Sequence, residues 1–366
     1  MKRISIKTTD REYEILVGRG LLGEVGKLLG QIGFQGIVVI ITDELVKKLH
    51  SGLLVRSIKE CGYSPVLIEV PRGESYKSLE MAGVLYNRLA ENFADRGTPI
   101  LAMGGGVIGD LSGFVAATYM RGVPFIQVPT TLLAQVDSSI GGKVAVNHGN
   151  LKNMIGSFYQ PVLGISDISV LSTLDSREIS NGVAEIIKTA LISDADFFDY
   201  LEKNISNLLD LNDMALEYTV YKTASIKASI VEKDEKDTGL RNVLNFGHTV
   251  GHALETVSNF NFTHGQAVSI GMVVAGEISI RLGMFNREYQ NRLINILQKA
   301  NLPVDLPPID VDRVLEVIKH DKKMRNGKLK FILLSSIGSP VISDDITPEI
   351  VREALELLYR GERGNA

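Results

Sequence analysis

Three of the chain's six histidines, His248, His252 and His264, fall inside one short stretch, "NFGHTVGHALETVSNFNFTHG". His248 and His252 are four residues apart, so on a helix they share a face. That spacing is common where zinc is bound, but zinc needs a further ligand. His264 is near enough to supply it from the next turn or the next helix. A carboxylate from another helix would complete an open catalytic site. Glu185 in "NGVAEIIK" is a candidate, a polar residue in an otherwise apolar helical run. Lys188 lies three residues further on, on roughly the same face. A divalent ion held there would act as a Lewis acid on nearby oxygens. The plainer reading is a set of structural histidines beside a solvated glutamate, and spacing alone treats the three histidines as equivalent.

A second kind of chemistry is written in "ILAMGGGVIGDLSGFVAA", where a strand pattern runs into three glycines and a helix pattern follows. Gly104, Gly106 and Gly109 fit the dinucleotide fingerprint, in which glycine lets the backbone approach a pyrophosphate at a helix N-terminus. The fingerprint alone is weak. It also sits on the fourth or fifth strand pattern rather than the first, and a tight strand–helix turn would look the same. Asp110 follows at once, either a carboxylate near the ligand or a helix cap. In "VPTTLLAQVDSSIGGKVAVN", Thr130 and Thr131 stand between a strand pattern and a helix pattern, where phosphate or ribose contacts are made. Asp137, Ser138, Ser139 and Lys143 crowd the polar segment behind them, which an ordinary capped loop would also explain. Lys152, Lys227, Arg241, Lys322 and Lys323 are scattered cations, each by itself best read as facing solvent.

The elements that must position these residues divide the chain in two. "RISIKTT" and "REYEILVG" read as an antiparallel pair around Thr9 and Asp10. "GIVVIIT", "SPVLIEV", "TPILAMG" and "PFIQVPT" are short β-branched runs separated by helical patterns, which implies a parallel sheet covered on both faces. From about residue 175 helical spacing dominates, with Ser176 as a helix start and one late strand, "LKFILLSS". The expectation is an α/β, Rossmann-like N-terminal domain over residues 1–175 and a mostly α-helical domain over residues 176–366, with a ligand cleft between them.

The totals exclude several other classes. A net charge of −4 gives no reason to expect nucleic acid as a partner. The single cysteine, Cys61, permits neither an intrachain disulfide nor a thiolate metal cluster, which fits a reducing cytoplasm. The opening "MKRISIKTTDREYEI" lacks the apolar core of a signal peptide. The most apolar stretch, "AVSIGMVVAGEISI", is broken by Glu277 well short of a membrane span. A cytoplasmic protein with no membrane partner is expected.

Taken together, "GGGVIGDLSGFVAATYMRG", "QVPTTLLAQVDSSIGGKVAVN", "KNMIGSFYQP", "NGVAEIIK", "LRNVLNFGHTVGHALE" and "HGQAVSIGMV" resemble the 3-dehydroquinate synthase family. They occur in the family's order, and the likeness runs from residue 43 to about 340. The resemblance implies that Glu185, His248 and His264 bind one divalent ion, Zn2+ or Co2+, and gives His252 to the substrate instead. It implies that NAD+ contacts Asp43, then Arg72, Gly73, Glu74, Ser75, Tyr76 and Lys77. The remaining contacts are Gly106, Val107, Ile108, Gly109 and Asp110, Thr130 and Thr131, Lys143, Lys152, and Val170, Leu171, Ser172 and Thr173. The substrate phosphate falls to Lys143, Asn153, Asn245, His252 and a late lysine, Lys322 or Lys323. The substrate carboxylate falls to Lys227 and Arg241, and the reacting hydroxyls to Asp137 and Lys188. Arg121 would reach the neighbouring subunit's site, so a homodimer is implied. Two positions depart from the family pattern: Asp237 and Gln266 stand where glutamate is usual.

The implied reaction converts a phosphorylated keto-sugar acid, 3-deoxy-D-arabino-heptulosonate 7-phosphate, to 3-dehydroquinate and phosphate on the shikimate route to aromatic amino acids. Oxidation at C5 acidifies the C6 proton, and phosphate leaves by β-elimination. The hydride is then returned, the ring opens and an intramolecular aldol closes the carbocycle. Two alternatives share the same parts. One is a sibling sugar phosphate cyclase, against which Lys152, Asn153, Lys227 and Arg241 favour a carboxylate-bearing substrate. The other is a metal-dependent polyol dehydrogenase with the same two-domain plan and glycine loop.

Overall fold

The computed structural model describes residues 1–149, 151–258, 261–321 and 329–360. The chain forms two units: Met1–Glu178 with Leu216–Lys236, and Ile179–Ala215 with Asp237 onward.

Nine strands belong to the first unit: β1 (Lys2–Lys7), β2 (Glu12–Gly18), β3 (Ile37–Asp43), β4 (Ser64–Val70), β5 (Ile100–Gly104), β6 (Phe125–Pro129), β7 (Lys143–His148), β8 (Leu151–Phe158) and β9 (Leu163–Asp167). Its helices before residue 119 are α1 (Val25–Ile32), α2 (Glu44–Glu60), α3 (Leu79–Glu91) and α4 (Gly106–Thr118). Seven strands make one sheet in the order β1-β2-β9-β6-β5-β3-β4, parallel except where β1 pairs antiparallel with β2. The runs of Val and Ile form strands here because both faces are covered. All residues of β5, β6 and β9 are buried, as are the five central residues of β3. Val39 and Ile41 share a core with Leu85 and Leu89 of α3 and with Leu111 and Val115 of α4. Each such side chain contributes about 1.5–3 kcal/mol relative to leaving it in water.

The chain reverses direction across the sheet at β3: β4 is laid on one side of it and β5 on the other. The crevice at the carboxyl ends of such diverging strands is where open α/β sheets take ligands. This accounts for a glycine turn on the fifth strand rather than the first. The antiparallel β7–β8 hairpin was not foreseen, nor was β9. The helix expected after Thr131 is only a short π-type turn over Ala134–Ser138, after which the chain runs directly into β7.

In the second unit α5 (Ser176–Ser193) is buried continuously from Ile179 to Ile192. It begins at the expected residue, but its cap is Asp175, whose Oδ1 accepts from the Glu178 amide at 2.9 Å. It is followed by α6 (Ala195–Leu209) and by α7 (Asp213–Lys233), which passes into the first unit at Leu216. Then come α8 (His248–Val257), α9 (His264–Arg281), α10 (Arg287–Lys299), α11 (Val311–Asp321), the hairpin of β10 (Leu329–Ser336) and β11 (Ser339–Ile346), and α12 (Pro348–Arg360). The expected late strand is β10; β11 was not anticipated. Helices α8 and α9 cross in very close contact at Gly271, where a Cβ would lie 1.9 Å from the carbonyl oxygen of Gly247. That approach lays the first turn of α8 against the middle of α9, while Gly251, further along α8, lies against Ala267 and Val268 near the start of α9. No helix among the described residues is long and apolar enough to cross a membrane.

Candidate metal centre and dinucleotide cleft

In the first unit a cleft of about 320 Å3 opens at the carboxyl ends of β3, β4, β5 and β6. Of the residues expected to hold NAD+, it is lined by Asp43, Arg72, Gly73, Gly106, Val107, Ile108, Thr130, Thr131 and Thr173. Helix α4 starts here behind Gly105, which offers no side chain to cap it, so its first amides are left for a ligand. Thr130 is buried, and its Oγ1 has no hydrogen-bond partner. An orphaned hydroxyl beside an uncapped helix start is the arrangement a pyrophosphate would satisfy, so these residues fit a dinucleotide. The glycines serve packing as well. A Cβ on Gly104 would meet the Ile108 side chain at 2.6 Å, and one on Gly109 would meet the Gln127 amide at 3.1 Å. Asp43 closes β3 and caps α2, its Oδ1 accepting from the amides of Leu45 and Val46 at 2.9 and 3.1 Å. Val170 and Leu171 are buried in the core, which leaves their backbone as what they can offer a cofactor.

Two polar clusters lie elsewhere in this unit. Lys77, nearly buried, donates to Asp110 Oδ2 at 2.6 Å and to Asn153 Oδ1. Burial pushes the Asp110 carboxyl up, while the Lys77 ammonium pulls it back. Asn153 is held in a left-handed conformation at φ 57°, and its amide donates to Asn147 Oδ1 at 2.9 Å. Asn147 in turn donates to Glu74 Oε1 at 2.9 Å and tethers the Glu74–Lys77 loop to the hairpin. Asn147 had not been singled out, because an asparagine in an alternating strand carries no mark of its partners. In the second cluster Lys227 on α7 donates to the backbone carbonyl and Oδ1 of Asp137, at 2.7 and 2.6 Å. Lys143 and Lys152 stand exposed on the hairpin, and Arg121 is exposed with φ 66° in the turn after α4. Ser75, Tyr76 and Ser172 are exposed too, outside the cleft lining.

The second unit brings Glu185, His248 and His264 together, with one ligand atom from each lying within 4.8 Å of the others. Helix α5 supplies Glu185 in mid-helix, while α8 and α9 supply the histidines from their first residues. His248 Nε2 and His264 Nε2 stand 3.6 and 3.3 Å from Glu185 Oε1. His248 Nδ1 lies 3.1 Å from the Phe246 carbonyl oxygen, which can only accept, so the proton sits on Nδ1 and the Nε2 lone pair faces Glu185. One carboxylate and two imidazoles match the three-protein-ligand set of an open catalytic zinc site, so the donor chemistry fits a divalent ion. Lys188 pairs with Glu185, and both are buried. Burial by itself would raise the Glu185 carboxyl, but Lys188 and the two histidines bring it well below its ordinary range. Burial drives His248 well below its ordinary value despite the nearby carboxylate.

His264 opens α9 directly behind a capping box. Thr263 accepts from the Gln266 amide, and Gln266 Oε1 accepts from the Thr263 amide at 3.0 Å. Glutamine performs this exchange as well as glutamate, so the departure at Gln266 leaves the ligand's placement intact. Asp237 has φ 56°, a conformation aspartate tolerates better than glutamate, which gives the other departure a backbone reason.

His252 lies half-buried on α8, its ring 5.3 Å from that of His248 and 6.4 Å from that of His264. With Glu255 and His264 it makes a second trio within metal reach. Arg241, buried, and Asn245 share the short 3-10 helix Leu240–Asn245 just before α8. Lys227 and Arg241 fall in different units. Lys322 and Lys323 lie outside the described residues. Sequence reasoning missed Glu255, although its distances of three from His252 and seven from His248 place it on their face. It also missed His50 in the cleft, whose Nε2 lies 3.0 Å from Thr173 Oγ1.

A parallel α/β unit with a glycine turn at its switch point, and a helical unit with a Glu–His–His cluster, are the parts of a sugar phosphate cyclase. Two solved cyclases superpose on the chain with a TM-score of 0.89 each. One is 2-epi-5-epi-valiolone synthase from Streptomyces hygroscopicus with NAD+ and Zn2+ bound (28% identity, covering 98% of this chain and 99% of that one). The other is 2-deoxy-scyllo-inosose synthase complexed with carbaglucose-6-phosphate, NAD+ and Co2+ (27% identity, covering 97% and 99%). Residues 67–181 match the description 3-dehydroquinate synthase N-terminal, and residues 182–324 match 3-dehydroquinate synthase C-terminal. A 3-dehydroquinate synthase of Dehalococcoides mccartyi is 48% identical over 356 residues, covering 97% of this chain and 99% of that protein. The chain belongs to the 3-dehydroquinate synthase family.

Proposed function

We infer that the chain catalyses the 3-dehydroquinate synthase reaction, taking 3-deoxy-D-arabino-heptulosonate 7-phosphate to 3-dehydroquinate and phosphate, and so acts as a phosphorus–oxygen lyase. The observation that carries this is the Glu185–His248–His264 cluster in a chain 48% identical to a 3-dehydroquinate synthase. In this reading residues 1–175 hold NAD+ and residues 176–366 hold the metal and much of the substrate. When bound, NAD+ supplies a hydride acceptor and donor, and the divalent ion supplies Lewis acidity at the oxygens beside the reacting carbons.

The chain's own residues do the rest. Glu185, His248 and His264 would hold the ion, and Lys188 keeps Glu185 ionised. Lys77 and Asp110 contact the cofactor as a largely buried ion pair next to the glycine turn, and Asp43, Thr130 and Thr131 orient it. His252, Asn245, Lys143 and Asn153 bind the phosphate as charge-assisted or neutral donors, strong enough to fix it and weak enough to let it go. Lys227 and Arg241 take the substrate carboxylate. Because Lys227 is paired with Asp137 beforehand, an incoming carboxylate competes for the ammonium and leaves Asp137 Oδ1 to accept a hydroxyl proton. Arg121, on an exposed turn, completes the neighbouring subunit's site in a homodimer, and the enzyme works in the cytoplasm.

The test is phosphate release from the heptulosonate phosphate, with and without chelator and NAD+, beside sedoheptulose 7-phosphate. Release only from the heptulosonate phosphate, abolished by chelation, supports the reading. Preference for sedoheptulose 7-phosphate would make the chain a sibling cyclase, and a steady rise at 340 nm would make it a polyol dehydrogenase.

A further inference from the structure

We propose that Glu255 is the positioning residue of the metal centre, accepting the Nδ1 proton of His264 so that the Nε2 lone pair is presented to the ion. The proposal rests on the metal site read above. Glu255 sits on α8, on the same face as His248 and His252. Its Oε1 lies 3.5 Å from His264 Nδ1, on the side of the ring opposite the Nε2 that faces Glu185 at 3.3 Å. The side chain is largely buried, at 13% exposure, so the carboxylate works in a medium that strengthens its hold. His248 is arranged in parallel: its Nδ1 is anchored by the Phe246 carbonyl and its Nε2 faces Glu185. Each ligand imidazole therefore has one nitrogen tied to the protein and the other turned to a shared carboxylate oxygen, as metal-ligating histidines are usually held.

The same geometry decides between the two trios. His252, Glu255 and His264 are also close enough to hold an ion. In that arrangement His264 would have to ligate through Nδ1, and Glu255 would be a ligand rather than a support. His264 Nε2 would then carry the proton and donate to Glu185 Oε1, but the His248 Nε2 lone pair, turned there by the Phe246 carbonyl, would face the same carboxylate oxygen with nothing to hold between them. The first trio gives both inward-facing Nε2 atoms and Glu185 Oε1 a shared ion, and it makes Glu255 the support.

Chelator competition on the full-length protein measures the Zn2+ affinity of wild type, Glu255→Gln, Glu255→Ala and His252→Ala, and the visible spectrum of the Co2+ form reports ligand geometry. Removing the support is expected to weaken Zn2+ by about 10- to 100-fold for Glu255→Ala. Glu255→Gln, which keeps an acceptor but not the charge, falls between it and wild type. Both keep the wild-type band pattern, because the ligands themselves are unchanged. His252→Ala keeps wild-type affinity. Wild-type affinity in Glu255→Ala would overturn the proposal, and so would loss of metal in His252→Ala, which would make the second trio the ligand set. A wild-type protein that binds no Zn2+ would overturn the metal reading itself.

Discussion

Gly271→Ala gives the sharpest test of how the helical unit places its metal ligands. The added Cβ would fall 1.9 Å from the carbonyl oxygen of Gly247 and 3.0 Å from the amide nitrogen of Gly251, both backbone atoms that no rotamer change can move. Reaching even 3.0 Å, the floor for real Cβ contacts, requires α8 and α9 to part locally by about 1.1 Å. Overpacking of this kind costs about 1–3 kcal/mol. The effect on the ion is larger than the effect on the fold, since ligand distances must hold to about 0.2 Å and His248 and His264 start the two displaced helices. Thermal unfolding of the metal-free protein should show a fall of a few degrees, and chelator competition a marked loss of Zn2+ affinity. Gly83→Ala on α3, where a Cβ meets nothing within 4 Å, is the control and should be neutral or slightly stabilising. A Gly271→Ala protein with wild-type melting temperature and wild-type Zn2+ affinity would refute the argument that this contact sets the histidines.

Three further expectations concern single side chains. His264→Ala should lose metal and activity together, whereas His252→Ala should keep metal and lose turnover, as metal analysis alongside phosphate release will show. Burial alone would lower His264, but its hydrogen bonds to Glu185 and Glu255 carry it up to about 10. The metal-free imidazole is therefore a cation at neutral pH and must give up a proton when it ligates. Zn2+ uptake at pH 7–8 should thus release a proton, read by calorimetry in buffers of different ionisation enthalpy, and affinity should rise with pH until that proton is gone near pH 10. With no metal the sign is opposite: the charged His264 stabilises the fold fully below its unfolded value, about 6.5, and the contribution is lost as pH rises through about 10. Asp43→Ala removes the cap of α2 at a cost of about 1 kcal/mol and should weaken NAD+ binding in a fluorescence titration; unchanged binding would remove Asp43 from the cofactor contacts.

Much of the scaffold was legible because its strands are buried on both faces. Ile37–Ile41 and Ile100–Met103 are unbroken apolar runs, and Phe125–Pro129 is apolar but for Gln127, a pattern that a covered parallel sheet explains. The β7–β8 hairpin was not legible for the opposite reason. β8 is exposed along nearly its whole length, so no alternation is imposed on it. β9 is five residues long and finds its partners, β2 and β6, far away in sequence. The histidines show a different limit. Spacing placed His248 and His252 on one face, and that was sound. What it could not give is which ring nitrogen each histidine turns inward. That depends on Phe246, whose part is played by a backbone carbonyl, and on Glu255, whose acceptor role follows only once α8 and α9 are side by side. Giving His252 to the substrate rests on the family resemblance, a distinction that spacing does not draw.

The path of α7 has a consequence for dissecting the molecule. The first unit takes back Leu216–Lys236 after the chain has already entered the second. A fragment ending at Glu178 would lack Lys227, the partner of Asp137, along with Glu232 and Glu235, which accept from the amides of Lys7 and Thr9 and from the Gln160 side chain. No single cut yields both units whole. Chimaeras between relatives made with one crossover would graft a sheet from one parent onto a bracing helix from the other. Shuffling that respects the architecture needs three junctions, near residues 178, 215 and 236. The polypeptide is woven rather than strung, and the first unit is complete only in a chain that has already passed through part of the second.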